Sequence, residues 1–133
     1  MTAGGQESPA GDVLEELARR LDQYPADRYP VQHATTQFHL GVTLAGQGRL
    51  QEADQALETA CRLFRPDQLP AEHAKAANAR GAVQRMAGRL DDAATSFGRA
   101  AELFRHRELR LEEGAARFNL GLVERERDGA GAV

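Results

Sequence analysis

Apolar residues recur at three- and four-residue steps along most of this chain. Near the amino terminus they are Val13, Leu14, Leu17 and Leu21. Two later stretches share this spacing: Leu50, Ala53, Leu57, Ala60 and Phe64, and then Leu90, Ala93, Phe97, Ala100 and Phe104. Such steps place apolar side chains on one face of an α-helix. No segment alternates with a period of two, so the pattern predicts an all-α protein.

Prolines and glycines divide this pattern into six predicted helices. Pro30 and Pro70 suit the first turn of a helix, where no backbone donor is needed. The predicted helices cover residues 11–24, 30–46, 50–65, 70–87, 90–105 and 109–127. Residues 1–10 and 128–133 are predicted to be flexible tails on either side of one helical domain, 11–127.

The chain repeats itself after forty residues. GRLQEADQALETACRLFR, residues 48–65, returns as GRLDDAATSFGRAAELFR, residues 88–105. The same shift aligns Gly41 with Gly81 and Gly121, and it aligns the first helix with the two GRL helices. We name the helices with these glycines A and the others B, so the order is B, A, B, A, B, A. Two full repeats, 30–65 and 70–105, then lie between half repeats at 11–24 and 109–127, which is typical of stacked helix pairs.

The composition argues against several classes of protein. The 133 residues carry a net charge of −3, which argues against a nucleic-acid-binding surface. With one cysteine, no internal disulfide can form, and a reducing compartment is indicated. No apolar run is long enough to cross a membrane, and MTAGGQESPAG lacks the features of a signal peptide. We therefore expect a cytoplasmic protein, and the many arginines and alanines beside a single lysine suggest a bacterial source.

The repeated small residues resemble the tetratricopeptide repeat. The pattern reads Ala34, Leu40-Gly41, Gly48, Ala53, Ala60, and its second copy reads Ala74, Gly81, Gly88, Ala93, Ala100. The forty-residue spacing resembles the longer variant found in kinesin light chain and in large bacterial regulators. The resemblance implies a right-handed superhelical array of antiparallel helix pairs. It also implies a concave groove, lined mainly by A helices, that holds a peptide or helix of a partner protein.

The forty-residue phase places a set of side chains in this groove. The predicted groove residues are Thr35, Phe38, His39, Val42, Lys75, Asn78, Ala82, Arg85, Phe118, Asn119, Leu122 and Arg125. Their mixture of aromatic, small and amide groups suits a partly apolar peptide. The alternative interpretation is that Phe38 and Phe118 only pack between neighbouring helices. Phe38 and Val42 stand where the family's carboxylate clamp would begin, so that clamp is not expected here.

Arg80 departs from the repeat pattern, because leucines occupy the equivalent positions 40 and 120. A guanidinium near the core needs a carboxylate partner, and Asp54 or Glu58 on the preceding helix can supply one. The alternative is that Arg80 faces a ligand anion. Gln84 likewise replaces the apolar Leu44, so polar groups are expected near the core of the middle repeat.

No set of residues in the sequence points to catalysis or to a metal site. Cys61 lies on the apolar stripe of its helix and is interpreted as a small core residue. His33 and His39 lie on different faces of one helix. We therefore predict no catalytic residues, no metal and no cofactor.

Three hypotheses for the function of this protein remain to be compared. The leading hypothesis is a non-enzymatic scaffold or adaptor that binds a peptide or helix of another protein in the concave groove. The alternative is a regulatory sensor module that binds a small ligand or a signalling peptide. An enzyme is the least supported. The apolar stripe on the first helix, which has no preceding A helix to cover it, further predicts a homodimer through that helix.

Overall fold

The computed structural model describes residues 9–131 and folds them into six α-helices. They are α1 (Pro9–Gln23), α2 (Pro30–Gly46), α3 (Leu50–Leu63), α4 (Pro70–Met86), α5 (Leu90–His106) and α6 (Arg110–Gly131). The described part of the chain contains no β-strand. The all-α prediction is confirmed, and the internal helix boundaries agree with the sequence to within two residues.

The two ends of the helical domain differ from the sequence prediction. Helix α1 begins at Pro9 and α6 continues to Gly131, so residues 9–10 and 128–131 are helical, although they were predicted to be tail. The remainder of both predicted tails, residues 1–8 and 132–133, lies outside the described residues.

Successive helices pack against each other along the whole array. Helix α2 also contacts α4, and α4 contacts α6, whereas the backbones of α3 and α5 do not meet. The A helices α2, α4 and α6 therefore form a closely spaced row, and the later B helices α3 and α5 stand apart on the other side. This arrangement confirms a helical repeat array, whose shared core is completed by neighbouring units.

Two of the aligned glycines explain how tightly the helix pairs close. A Cβ atom added at Gly41 would lie 2.5 Å from Cγ of Leu57, and one added at Gly81 would lie 2.7 Å from the ring of Phe97. Leu57 is 0% exposed and Phe97 1%, so neither side chain has room to move aside. Glycine at these positions is therefore required by the packing of α3 on α2 and of α5 on α4.

The turns that lead from A to B helices also repeat. Gly48 and Gly88 have φ angles of 77° and 80°, in the left-handed region that glycine adopts without strain. In both turns the following arginine pairs with an acid three residues later, in the first turn of the next helix: Arg49 with Glu52, and Arg89 with Asp92. The recurring GRL motif is thus a turn signal with a fixed geometry.

The described residues include no helix that is long and apolar enough to cross a membrane.

The core is built from small side chains, mainly alanines, between each A helix and the B helices on either side of it. Phe64, Phe97 and Phe104 are its large buried members. Small residues at the contacts allow the helices to approach closely, so the array keeps a narrow core.

Candidate functional site

The A-helix row carries two neighbouring shallow cavities. One, of about 280 Å³, is lined by Phe38, Lys75, Asn78, Ala79, Phe104, Glu112 and Ala115. The other, of about 90 Å³, is lined by Thr35, Phe38, Phe64, Glu72 and Lys75. Phe38 and Lys75 belong to both cavities, which makes them one continuous depression across α2, α4 and α6. We call this depression the groove.

Asn78 stands out among the residues of the groove. Its side-chain oxygen Oδ1 is buried and receives no hydrogen bond from the described protein. Burying an amide oxygen without a donor costs roughly 1–3 kcal/mol. Asn78 therefore holds an unused acceptor, and the residue lines a cavity whose other walls include Phe38 and Phe104.

The predicted groove residues divide into two groups in the structure. Thr35, Phe38, Lys75 and Asn78 come together in the groove. The others do not line it: His39, Val42, Ala82, Arg85, Phe118, Asn119, Leu122 and Arg125. The structure thus brings together four of the twelve predicted residues, those that lie toward the amino-terminal ends of α2 and α4.

The two aromatic residues of the predicted set have different environments. Phe38 is half-buried and packs against two clusters of the core, so it has a packing role as well as a place in the groove. Phe118 is 65% exposed, which contradicts the interpretation that it only packs between helices. Phe118 is thus an exposed phenylalanine on α6 that does not line the groove.

Arg85 was predicted to be a groove residue. In the structure its Nε donates to Glu126 of α6 at 2.5 Å, so its charge is already paired. This partner could not be predicted from the sequence, because Glu126 becomes a neighbour only through the packing of α6 on α4.

Two acidic groove residues were not predicted. Glu72 lines the smaller cavity and Glu112 the larger one, on either side of Lys75. The signal was present in the sequence, since the forty-residue shift aligns Glu72 with Glu112. The groove therefore has an apolar floor with charges of both signs along its edge.

Arg80 has the ion pairs that the sequence predicted. Its Nε donates to Asp54 at 2.8 Å and its Nη2 to Glu58 at 3.3 Å. The hydrogen bond to Asp54 raises the pKa of Arg80 above its ordinary value. Gln84, 3% exposed, accepts a hydrogen bond from Ser96 at 2.6 Å, which confirms that polar groups lie near the core of the middle repeat.

His33 and His73 occupy aligned positions and make the same contact. Nδ1 of His33 donates to the carbonyl oxygen of Tyr24 at 2.9 Å, and Nδ1 of His73 donates to that of Phe64 at 3.0 Å. Each histidine thereby satisfies a backbone carbonyl left open at the end of the preceding B helix. This capping role was not predicted from the sequence, where His33 was considered only as a metal ligand.

Cys61 and His73 lie side by side, yet their geometry does not suit nucleophilic chemistry. Burial raises the pKa of the Cys61 thiol from 9.0 to about 11, so it stays protonated at neutral pH. Nδ1 of His73 also donates to the Cys61 carbonyl oxygen at 2.8 Å, and its Nε2 accepts from Arg99 at 2.9 Å. With both nitrogens occupied, the imidazole has no free position from which to accept the thiol proton.

Among the residues that the structure describes, no three histidine, cysteine, aspartate or glutamate side chains form a group that could hold a metal ion. An array of helix pairs occurs in several repeat families, so the fold alone does not assign this chain to one of them. The likeness to the tetratricopeptide repeat therefore rests on the aligned residues themselves. No protein-family model matches this chain, and no curated protein or solved structure matches it either.

Proposed function

We propose that this protein is a non-enzymatic adaptor of the tetratricopeptide type that binds a peptide or helix of a partner protein in the groove. The observation that carries the proposal is the buried, unpaired Oδ1 of Asn78. A peptide backbone N–H is a suitable donor for such an acceptor, because no donor of the groove, Lys75 included, bonds to this oxygen. Binding a peptide would remove a penalty that the free protein bears.

The other groove residues describe the peptide that fits best. Phe38, Phe64 and Phe104 provide an apolar floor for a hydrophobic side chain. Lys75 stands between Glu72 and Glu112, so both an acidic and a basic group of the ligand find a partner at the edge. We propose a short, partly apolar segment with flanking charges, bound in the cytoplasm of a bacterial cell.

Capture of partners from a lysate of the source organism tests this proposal with Asn78→Leu. Leucine has a similar size and removes the unpaired oxygen, so the variant should fold with equal or higher stability. A peptide N–H that loses its acceptor should bind at least about tenfold more weakly. Proteins captured by the parent should therefore be lost from the variant while its thermal unfolding midpoint stays level or rises.

Two further variants make the capture experiment decisive. Lys75→Glu reverses the charge between Glu72 and Glu112 and should also lose the partner. Gln55→Leu changes an exposed residue of α3 outside the groove and should keep it. If Asn78→Leu and Lys75→Glu retained the same proteins as the parent, the groove would not be the binding site and the proposal would fail.

A further inference from the structure

A third cavity lies on the opposite face of α4 from the groove. It has a volume of about 340 Å³ and occupies the gap between α3 and α5, above the surface of α4. Its polar lining includes Glu58, Arg62, His73, Arg80, Ser96 and Arg99. We call it the arginine cleft, since three of its side chains are guanidinium groups.

The positions along α4 show that the two cavities are separate. His73, Ala77 and Arg80 line the arginine cleft, whereas Lys75, Asn78 and Ala79 line the groove. At about 3.6 residues per turn, these two sets of three project from opposite sides of the helix. A ligand in the arginine cleft therefore does not touch the peptide site.

The arginine cleft carries an excess of positive charge. Arg80 is paired with Asp54 and Glu58, and Glu58 is the only acidic residue in the lining. Arg62 and Arg99 have no carboxylate partner among residues 9–131. Two unpaired guanidinium groups beside one cavity attract an anion, because their charges otherwise repel each other.

Arg99 is also held in position by a buried group. Its Nε donates to Nε2 of His73 at 2.9 Å. His73 is 7% exposed and is itself fixed by hydrogen bonds from Nδ1 to the carbonyl oxygens of Cys61 and Phe64. This chain of hydrogen bonds orients Arg99, and its Nη groups make no hydrogen bond within the described structure.

The two hydroxyl groups that line the arginine cleft, those of Thr95 and Ser96, are less suited than its arginines to bind an anion. Ser96 already donates to Gln84, and Thr95 donates to the carbonyl oxygen of Asp91 at 3.2 Å. Recognition of an anion therefore falls to the guanidinium groups, whose planar pairs of N–H donors match the oxygens of a phosphate.

We propose that the arginine cleft binds the phosphate group of a small phosphate ester, held by Arg62 and Arg99. The volume of about 340 Å³ is at the low end of the range of roughly 300–1,000 Å³ typical of small-molecule sites, which favours a small ligand. A phosphate ester carries close to two negative charges at pH 8 and so matches two unpaired guanidinium groups. Arg80 is not assigned to the phosphate, since its own charge is paired with Asp54 and Glu58.

Isothermal titration calorimetry with glycerol 3-phosphate at pH 8 and constant ionic strength tests the proposal. The parent should show saturable binding of one ligand per chain, and glycerol should show none. Arg99→Gln and Arg62→Gln should each weaken binding at least tenfold. Arg110→Gln removes an exposed arginine outside the cleft and gives the same change in net charge, so it should bind like the parent.

A variant that fails to fold would also lose binding, so circular dichroism must show that each titrated variant is folded. Arg99→Lys adds a second comparison, because it keeps the charge but loses the paired N–H donors. We expect it to fold like the parent and to bind more weakly.

Three outcomes would overturn the proposal. The first is no saturable binding of glycerol 3-phosphate to the parent. The second is equal affinity in the parent, Arg99→Gln and Arg62→Gln, which would place the ligand elsewhere. The third is binding of a phosphoserine peptide more than tenfold tighter than glycerol 3-phosphate with the same dependence on Arg99, which would assign the cleft to a phosphorylated protein. None of these outcomes bears on the groove, which is tested separately by Asn78→Leu.

Discussion

Aligned positions of the repeat do not always hold the same residue or make the same contact. Histidine at positions 33 and 73 closes the end of the preceding B helix, whereas the third aligned position is Glu113, which has no N–H to donate from its side chain. Glu113 pairs instead with Arg117 at 2.7 Å on its own helix. The junction between α5 and α6 is therefore built differently from the two before it.

The same junction contains the one strained backbone position among the described non-glycine residues. Glu108 has a φ angle of 58°, in the region that Gly48 and Gly88 occupy in the other two left-handed turns. A side chain in this conformation costs roughly 1–2 kcal/mol. The aligned positions, Arg28 and Gln68, do not have this conformation, so the left-handed turn is particular to the junction between α5 and α6.

The environment of Cys61 gives a prediction for its reactivity. Burial favours the neutral thiol, so its pKa of about 11 leaves little thiolate at pH 8, roughly one part in a thousand. Alkylation by iodoacetamide should therefore be slow at pH 8 and should rise steeply only as the pH approaches 11. Following the rate by mass spectrometry from pH 7 to 11 checks this, with the urea-unfolded protein as the control.

The sign of the linkage follows from the same shift. The folded protein holds the thiol proton to a higher pH than the unfolded chain does, so this group contributes stability below pH 9 that is lost between pH 9 and about 11. An alkylation rate at pH 8 equal to that of the unfolded chain would contradict the buried environment of Cys61.

At the scale of helices, the three aligned glycines are no longer equivalent. Added Cβ atoms at Gly41 and Gly81 would collide with Leu57 and Phe97, while one at Gly121 would meet nothing within 4 Å. The repeat pattern assigns all three the same function, but the neighbouring B helix is present for only two of them in the described chain.

Alanine substitutions should therefore have opposite effects at aligned positions. Gly81→Ala should lower the free energy of unfolding by roughly 1–3 kcal/mol, because the core around Phe97 is already filled. Gly121→Ala should raise it by roughly 0.5–1 kcal/mol, because alanine favours the helix and finds open space. Urea unfolding followed by circular dichroism measures both, and changes of the same sign would refute the packing explanation.

Helices could be predicted from this sequence far better than the sites could. Periodicity, Pro30, Pro70 and the GRL motif are local signals, and they locate the helices to within a few residues. The contacts that decide the sites join distant parts of the chain, as when Arg99 reaches His73 or Arg85 reaches Glu126. Such partners depend on how far each helix is rotated in the array, which a repeat pattern specifies only approximately. The ion pairs of Arg80 could be predicted, because leucines occupy the aligned positions 40 and 120 and a charged group in their place needs a partner.

At the scale of the whole molecule, homodimerisation through α1 stays a prediction. Leu17 of the apolar stripe is buried against α2, and Leu14 packs on the core beside it. Val13, 44% exposed, is the member of the stripe that remains most accessible. This surface is small compared with the roughly 1,200–2,000 Å² that stable interfaces bury, so any dimer should be weak.

Light scattering over a range of protein concentrations tests this expectation. The parent should approach the mass of a dimer only at high concentration, and Val13→Glu should keep it monomeric, because a charge would then be buried at the interface. Val42→Glu, which changes an equally accessible valine on α2, serves as the control. A parent that stays monomeric throughout would refute the dimer.

Helix α4 forms a wall of both cavities, with Asn78 on one side and Arg80 on the other. A ligand that favours one position of this helix would change the affinity of the opposite side if that side binds its own ligand differently in that position. Thermodynamic reciprocity then requires the effect to be mutual: an anion that strengthens peptide binding by some factor must itself be bound more tightly, by the same factor, when the peptide is present. A single shared helix would thus make the two sites partners in one coupled equilibrium, and measuring either affinity with and without the other ligand would reveal it.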